Sequence, residues 1–233
     1  MYLGIDVGGT HTDAVIMDRG AIRASCKVIT DHADLLRSVR AALQRVLVGI
    51  DPAEVRRLNL STTLSTNAIV EGRTEEVGVL VSAGPGVDPE NIHVGRGYFV
   101  IPGSIDHRGI EIQPLDMAAL DLALDQCREM GMRVFAAVGK FSTRNPAHER
   151  TMTARIRERL GQDVDFVTRG HRVSGLLNFP RRVGTAYYNS AVWRVYNSFA
   201  DAIERGLPEY GLEAVSVNVL KADGGTMPLS LSR

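Results

Sequence analysis

The sequence is short of cysteine and has no surplus of either charge. Cys26 and Cys127 are the only cysteines in 233 residues, far apart and with no second Cys or His at ligand spacing. A disulfide framework is thereby excluded, and a structural zinc site has no ligand set. Cys127 falls in a helical apolar pattern and reads as a small buried hydrophobe. Lys+Arg and Asp+Glu both total 27, so the basic surface that nucleic acid or an anionic membrane demands is missing. The short clusters Arg56-Arg57 and Arg181-Arg182 read as solvated faces. No run approaches the ~20 apolar residues of a membrane span. The opening Met1-Tyr2-Leu3-Gly4-Ile5-Asp6 has no basic lead and carries a carboxylate inside its apolar stretch, unlike a signal peptide. A cytoplasmic protein with neither nucleic acid nor membrane as partner is expected.

Hydrophobic residues, at 44%, suffice for a sizeable core. The first thirty residues predict three short strands, Tyr2–Asp6, Thr12–Asp18 and Ala21–Val28, joined by tight turns at Gly8-Gly9 and Arg19-Gly20. Asp31 or Asp34 caps a helix running to about Val48, stopped by Gly49-Ile50-Asp51-Pro52. A strand over Val55–Leu60, a helical turn through Asn67–Glu71 and a strand at Glu76–Val81 follow. Residues 83–114, punctuated by Gly and Pro, predict an inserted hairpin or long loops. Alternation then returns: helix Asp116–Met130, strand Arg133–Val138, a helix opened by Asn145-Pro146 and ending near Leu160, and a strand near Asp165–Val167. One long helix over Arg181–Arg205 and a strand Ala214–Leu220 complete the pattern. Three antiparallel strands followed by alternating helices and strands imply a mixed sheet with flanking helices, the layout of a ribonuclease-H-like unit.

The glycine pair after the first strand has three common explanations. A Walker loop is excluded because no Gly-x-x-x-x-Gly-Lys-Ser/Thr occurs. A dinucleotide loop needs a helix straight after its glycines, and here a β-rich segment follows. What is left is a hairpin turn whose backbone N–H groups face an anion, with Gly8 and Gly9 supplying positive φ and close approach, and Thr10 and Thr12 adding hydroxyls. Asp6 ends the first strand and Asp13 lies just past the turn. A carboxylate beside bound phosphates implies Mg²⁺ between them, held by Asp6. A plain Gly-Gly hairpin with surface Asp and Thr is the rival reading. Ser61–Asn67 places hydroxyl or amide side chains at most positions after a buried strand, more than helix capping needs. Thr62, Thr63, Thr66 and Asn67 are therefore candidate substrate or phosphate contacts. Positions 182, 185 and 189 fall within about 60° on a helix. Arg182, Thr185 and Asn189 thus form one polar stripe aimed into a cleft or else satisfy buried backbone groups. Asp223-Gly224-Gly225-Thr226 repeats the parts of the first turn and reads equally as a second approach to the ligand or as a frayed end.

These residues resemble the hydantoinase/5-oxoprolinase family of the sugar kinase, Hsp70 and actin superfamily. Asp6-Val7-Gly8-Gly9-Thr10-His11-Thr12-Asp13 is similar to that family's first phosphate motif, with His11 where Phe is usual. Ser61-Thr62-Thr63-Leu64-Ser65-Thr66-Asn67-Ala68-Ile69-Val70-Glu71-Gly72 is close to its Ser/Thr-rich signature. Asn145-Pro146-Ala147-His148-Glu149, the series Arg182, Thr185, Asn189, and Asp223-Gly224-Gly225 match in order. Ser82-Ala83-Gly84-Pro85-Gly86 departs from the family's usual continuation. The resemblance implies an actin/Hsp70-type ATPase half, with 1–168 as the N-terminal domain and 169–233 as the start of the next. It implies ATP and Mg²⁺ as cofactors and a small cyclic amide (hydantoin or 5-oxoproline type) as substrate. In that scheme Asp6 and Asp13 act in catalysis, Gly8, Gly9, Thr10 and Thr12 hold phosphates, and Arg182 and Asn189 join Thr62, Thr63, Thr66 and Asn67 at the substrate. Family members continue beyond position 233, so a C-terminal half or a partner subunit is expected to complete a weakly active portion. A carboxylase-type or small-metabolite kinase relative, and a non-catalytic scaffold that self-associates into a homo-oligomer, are the rival readings.

Overall fold

The computed structural model describes residues 1–233. Three strands joined by hairpins open the chain: β1 (Tyr2–Val7), β2 (His11–Asp18) and β3 (Ala21–Ile29). Helix α1 (Leu35–Val46) starts at Asp34, whose carboxylate accepts the N–H of Arg37 at 3.1 Å. Strand β4 (Arg57–Thr62) feeds α2 (Leu64–Val70), and β5 (Val77–Ser82), β6 (Gly97–Val100), β7 (Ser104–Ile105) and β8 (Glu111–Gln113) follow. Helix α3 (Met117–Glu129) is capped by Asp116, which accepts the N–H groups of Ala118 and Ala119. After β9 (Val134–Gly139), Asn145 Oδ1 accepts the N–H of Ala147 at 3.0 Å and opens α4 (Ala147–Leu160). Then come β10 (Phe166–Arg169), the single turn α5 (Gly170–Val173), α6 (Phe179–Ala191), α7 (Trp193–Gly206), β11 (Ser216–Leu220) and β12 (Thr226–Pro228).

Three departures from the sequence reading have physical causes. Helix α2 begins at Leu64, because Leu64 and Ala68 bury one face while the N–H of Leu64 is taken by Thr62 Oγ1 at 3.1 Å. Part of the irregular 83–114 stretch is the sheet strand β6, which pairs in parallel with β5. Its Gly97 marks close backbone approach and not a loop: a Cβ there would lie 2.9 Å from the Val77 carbonyl oxygen. The remainder of that stretch does include a hairpin, β7–β8. The single helix expected over 181–205 is two helices, interrupted at Val192 with φ −104° and ψ 3°.

The chain divides into two compact units, Met1–Arg73 with Arg194–Arg233, and Thr74–Trp193. The expected junction at 168 lies inside β10 of the second unit. The first unit holds one mixed sheet in the order β12-β11-β4-β1-β2-β3. Strand β1 pairs antiparallel with β2 and parallel with β4, and β11 adds parallel to β4. This is the ribonuclease-H-like order expected for an actin-like ATPase fold. Leu3, Ile5, Leu58 and Leu60 of the sheet meet Val39 and Leu43 of α1 and Phe199 and Ile203 of α7 in one core. Each such side chain contributes about 1.5–3 kcal/mol on burial. By alternation, the opposite face carries Gly4, Asp6, Asp13, Ser25, Lys27, Asn59 and Ser61.

The second unit is a parallel sheet in the order β10-β9-β5-β6. Every residue of β5 and β9 is buried, as the apolar runs Val-Gly-Val-Leu-Val-Ser and Val-Phe-Ala-Ala-Val-Gly require for strands covered on both faces. Leu120, Leu124, Met152 and Ile156 of α3 and α4 pack with Leu80 and Phe135. Phe179, Val183 and Ala186 of α6 pack with Val79 and Ala136.

Candidate functional site

The Gly8-Gly9 turn joins β1 to β2 as a hairpin, with the N–H of Gly8 donating to the His11 carbonyl at 3.0 Å. The N–H groups of Gly9 and Thr10 donate to nothing within the chain. Glycine is needed here for space and not for positive φ, contrary to the sequence reading, since neither Gly8 nor Gly9 has φ > 0. A Cβ on Gly8 would lie 3.0 Å from the His11 carbonyl oxygen, and one on Gly9 would lie 2.8 Å from Nδ2 of Asn67. The glycine turn and the Ser/Thr-rich segment, some sixty residues apart in sequence, therefore touch. The carbonyls of the turn are held from the far side, by His32 Nε2 on Gly9 and by the Thr30 N–H on Thr10.

The register places Asp6 directly opposite Asp13 on β2 and opposite Ser61 on β4. Like charges facing each other across a ladder repel. Lys27 Nζ, 3.1 Å from Asp13 Oδ1, neutralises one of them. Asp6 is exposed, and its carboxylate takes part in no hydrogen bond or ion pair. Both carboxylates line a cavity of about 620 Å³ on the open face of the first unit's sheet, with Ser25, Lys27, Asn59 and Ser61. No cluster of three or more His, Cys, Asp or Glu side chains is arranged to hold a metal. Two carboxylates do fit Mg²⁺, which binds through one or two carboxylates plus waters and phosphate oxygens.

Other expected site residues are placed differently. Thr12 is fully buried, its Oγ1 3.0 Å from Thr30 Oγ1; strand alternation turns it to the core with Ala14 and Ile16, away from any ligand at the turn. Thr62 donates to the Val7 carbonyl at 2.9 Å and accepts the Leu64 N–H at 3.1 Å, so its hydroxyl is spent on tying β4 to β1 and to the start of α2. Thr63 is exposed at the start of α2, with Asn67 Nδ2 3.5 Å from its Oγ1, and Thr66 is exposed on the same helix. Arg182 and Asn189 belong to the second unit. Arg182 is fully buried and donates to the carbonyls of Gly139, Lys140 and Leu176. Its guanidinium thus satisfies backbone groups, one of the two alternatives read from the sequence, while Thr185 bonds back to the Arg181 carbonyl. Asn189 donates to Thr168 Oγ1 at 3.0 Å. The Asp223-Gly224-Gly225-Thr226 turn closes the β11–β12 hairpin, with Asp223 accepting from Gly225 N–H and Lys221 Nζ. Its amides serve the turn itself.

The profile of the hydantoinase/oxoprolinase N-terminal region matches residues 2–160. The chain belongs to the hydantoinase/oxoprolinase family. Among its relatives, the caprolactamase subunit alpha of Pseudomonas jessenii is 29% identical over 97% of this chain and 36% of its own length. The crystal structure of the ATP-dependent caprolactamase from Pseudomonas jessenii superposes with a TM-score of 0.76 at 26% identity, covering 98% of this chain and 36% of that one. The nucleotide-free structure of acetone carboxylase superposes with a TM-score of 0.83 at 16% identity, covering 99% and 37%. The chain thus spans little more than a third of these relatives.

The family motif Asn145-Pro146-Ala147-His148-Glu149 organises the second unit, with contacts that the sequence reading did not anticipate. Asn145 Nδ2 donates to the Gly109 carbonyl at 2.9 Å. Buried His148 lies between Ser82 Oγ at 2.9 Å and Glu111 Oε1 at 2.8 Å. Glu149, fully buried, accepts the N–H of Gly139 and both the N–H and Nδ1 of His171. Desolvation lowers the pKa of Arg182, with the neighbouring Glu149 carboxylate opposing the shift. The one available signal was a His and a Glu in the first turn of an otherwise basic helix.

Proposed function

We propose that this chain holds nucleotide phosphates at the Gly8-Gly9-Thr10 turn as part of an ATP-dependent hydrolase of cyclic amides. The observation that carries the reading is the pair of uncommitted N–H groups on Gly9 and Thr10, reached by Asn67 across a turn too tight for a Cβ. Backbone donors of this kind stabilise an anion without reorganising. The relationship to a protein named as an ATP-dependent caprolactamase supports ATP use and a lactam-like substrate. That relative's designation as a subunit alpha supports a partner subunit here.

When bound, Mg-ATP supplies a phosphoryl group to the amide oxygen, making a poor electrophile open to water, with ADP and then phosphate leaving. The chain's own residues position and neutralise. Gly9 and Thr10 donate to phosphate oxygens, and Asp6 holds Mg²⁺ through its free carboxylate. Asp13, tethered by Lys27, orients water or accepts its proton. Thr63, Thr66 and Asn67 are the side chains of the Ser/Thr-rich segment left to meet substrate.

The test is titration of the ¹⁵N-labelled chain with ADP and a non-hydrolysable ATP analogue, with and without Mg²⁺. Saturable, Mg²⁺-dependent shifts centred on the Gly9 and Thr10 amides are expected. Asp6→Asn should weaken the Mg²⁺-dependent binding about tenfold, the loss of one charge-assisted contact. Gly9 and Thr10 resonances unmoved at saturating nucleotide would overturn the assignment.

A further inference from the structure

In the second unit the parallel strands lie in the spatial order β6-β5-β9-β10, so the second in sequence sits outside the first. The chain leaving β5 turns toward β6, and the chain leaving β9 turns the other way toward β10. Between two such carboxyl ends the connections diverge and a crevice opens, the place where open parallel sheets take ligands.

A cavity of about 230 Å³ lies at that point. Ala83 and Pro85 after β5 and Lys140 and Phe141 after β9 form its base, and Ile105 and Ile112 of the β7–β8 hairpin cover it. The cover is pinned: Ser82 Oγ donates to the Gly103 carbonyl at 3.0 Å, His148 meets Glu111 at 2.8 Å, and Asn145 holds Gly109 at 2.9 Å. Beneath the base, Arg182 fixes the carbonyls of Gly139 and Lys140. The space is therefore preformed.

Its lining is mostly apolar, with Lys140 as its lysine and Ser104, Asp106 and His107 as the other polar residues. The Lys140 ammonium donates to the Pro85 carbonyl and lies 5.2 Å from the Phe141 ring centroid, with no carboxylate paired to it. Asp106, the acid in the lining, is spent on the N–H groups of Arg108 and Ile110 and on Arg108 Nε. The volume is below the ~300–1,000 Å³ that drug-sized ligands occupy. A lone ammonium suits one anionic end and not a polyphosphate, and the walls suit a short hydrocarbon chain.

We propose that this cavity binds a small aliphatic carboxylate, its anionic end on Lys140 and its chain against Phe141, Ile105 and Ile112. The site stands whether or not the Gly9 turn holds phosphate, and the experiment separates the two. The ¹⁵N-labelled full chain is titrated with butyrate and, in parallel, with butyramide, which has the same shape without the charge. Saturable shifts at Ala83, Lys140 and Phe141 are expected for butyrate, with butyramide at least about tenfold weaker. Lys140→Met should weaken butyrate by a similar factor, and Lys140→Arg should recover part of it. Thermal melts confirm that each variant is folded. Should Lys140→Met fail to fold, the acid–amide comparison on the unaltered chain decides alone. Unsaturable shifts, equal affinity for acid and amide, or shifts confined to Gly9 and Thr10 would overturn the proposal.

Discussion

Asp6 and Thr12 show what a single residue reveals in sequence and what it conceals. Asp6 could be placed at the end of a strand from its neighbours alone, and its exposed, unpaired carboxylate is consistent with that reading. Thr12 looked equivalent to Thr10, yet Thr10 lies in the turn before β2 and is exposed, while Thr12 lies inside the strand on its core-facing side. For Arg182 the contacts match the second of the two alternatives, service to buried backbone carbonyls, which helical position alone does not distinguish from a cleft-facing stripe. The cysteines were easier. Burial pushes the Cys127 thiol up to about 12, while Cys26, partly exposed, is raised less by desolvation and donates to the Ala42 carbonyl. Since the thiolate is the nucleophile, raising the pKa lowers the reactive fraction at pH 8. Iodoacetamide at that pH should modify Cys26 well before Cys127 in the folded chain, as read by peptide mass spectrometry. Equal rates for the two would contradict the burial of Cys127.

Elements with one dominant pattern were legible: β1 to β3 by alternation, α1, α3 and α4 by their caps, β5 and β9 by continuous apolar runs. Two kinds of element were not. Strand β6 is short and begins at a glycine, and the same residue type that marks a loop also marks close contact in a sheet. The break between α6 and α7 falls at Ala191-Val192-Trp193, with neither Gly nor Pro to announce it. Glycines also set opposite expectations for stability. In β5, a Cβ on Gly78 would lie 2.6 Å from Phe135 Cδ1 and 3.0 Å from Cys127 Sγ. Gly78→Ala should therefore cost about 1–3 kcal/mol, the range for overpacking a filled core. In α6, Gly184 has open space around its Cα and ordinary φ, so Gly184→Ala should gain about 0.5–1 kcal/mol from helix propensity and a less disordered unfolded chain. Urea unfolding of both variants checks the contrast, and a shared sign would refute it.

Across the whole molecule, the family and the layered α/β architecture followed from motifs spread along nearly all of the sequence. The grouping of residues 1–73 with 194–233 did not, because the contacts that define it join elements more than a hundred residues apart. The Thr74–Trp193 segment contains both halves of its own core, with Leu80, Phe135 and Ile156 on one side of the sheet and Val79, Val183 and Ala186 on the other. Expressed alone, it should melt cooperatively with native-like circular dichroism. Residues 1–73 alone should not, for they lack Phe199, Ile203 and Val219. A cooperative transition in that short segment would contradict the shared core.

The split first unit also bears on the order of events during synthesis. Its strands β1 to β4 leave the ribosome before α7, which shares their core with α1, and the intervening stretch is about 120 residues. At roughly 5–20 residues per second, translation leaves the opening hairpins with α1 but without α7 for about 6–24 seconds. The second unit can close within that interval, so the nascent chain emerges with its later segment finished and its earlier one still awaiting α7. Chaperone capture during that wait should fall on the apolar residues of the sheet that later meet Phe199 and Ile203.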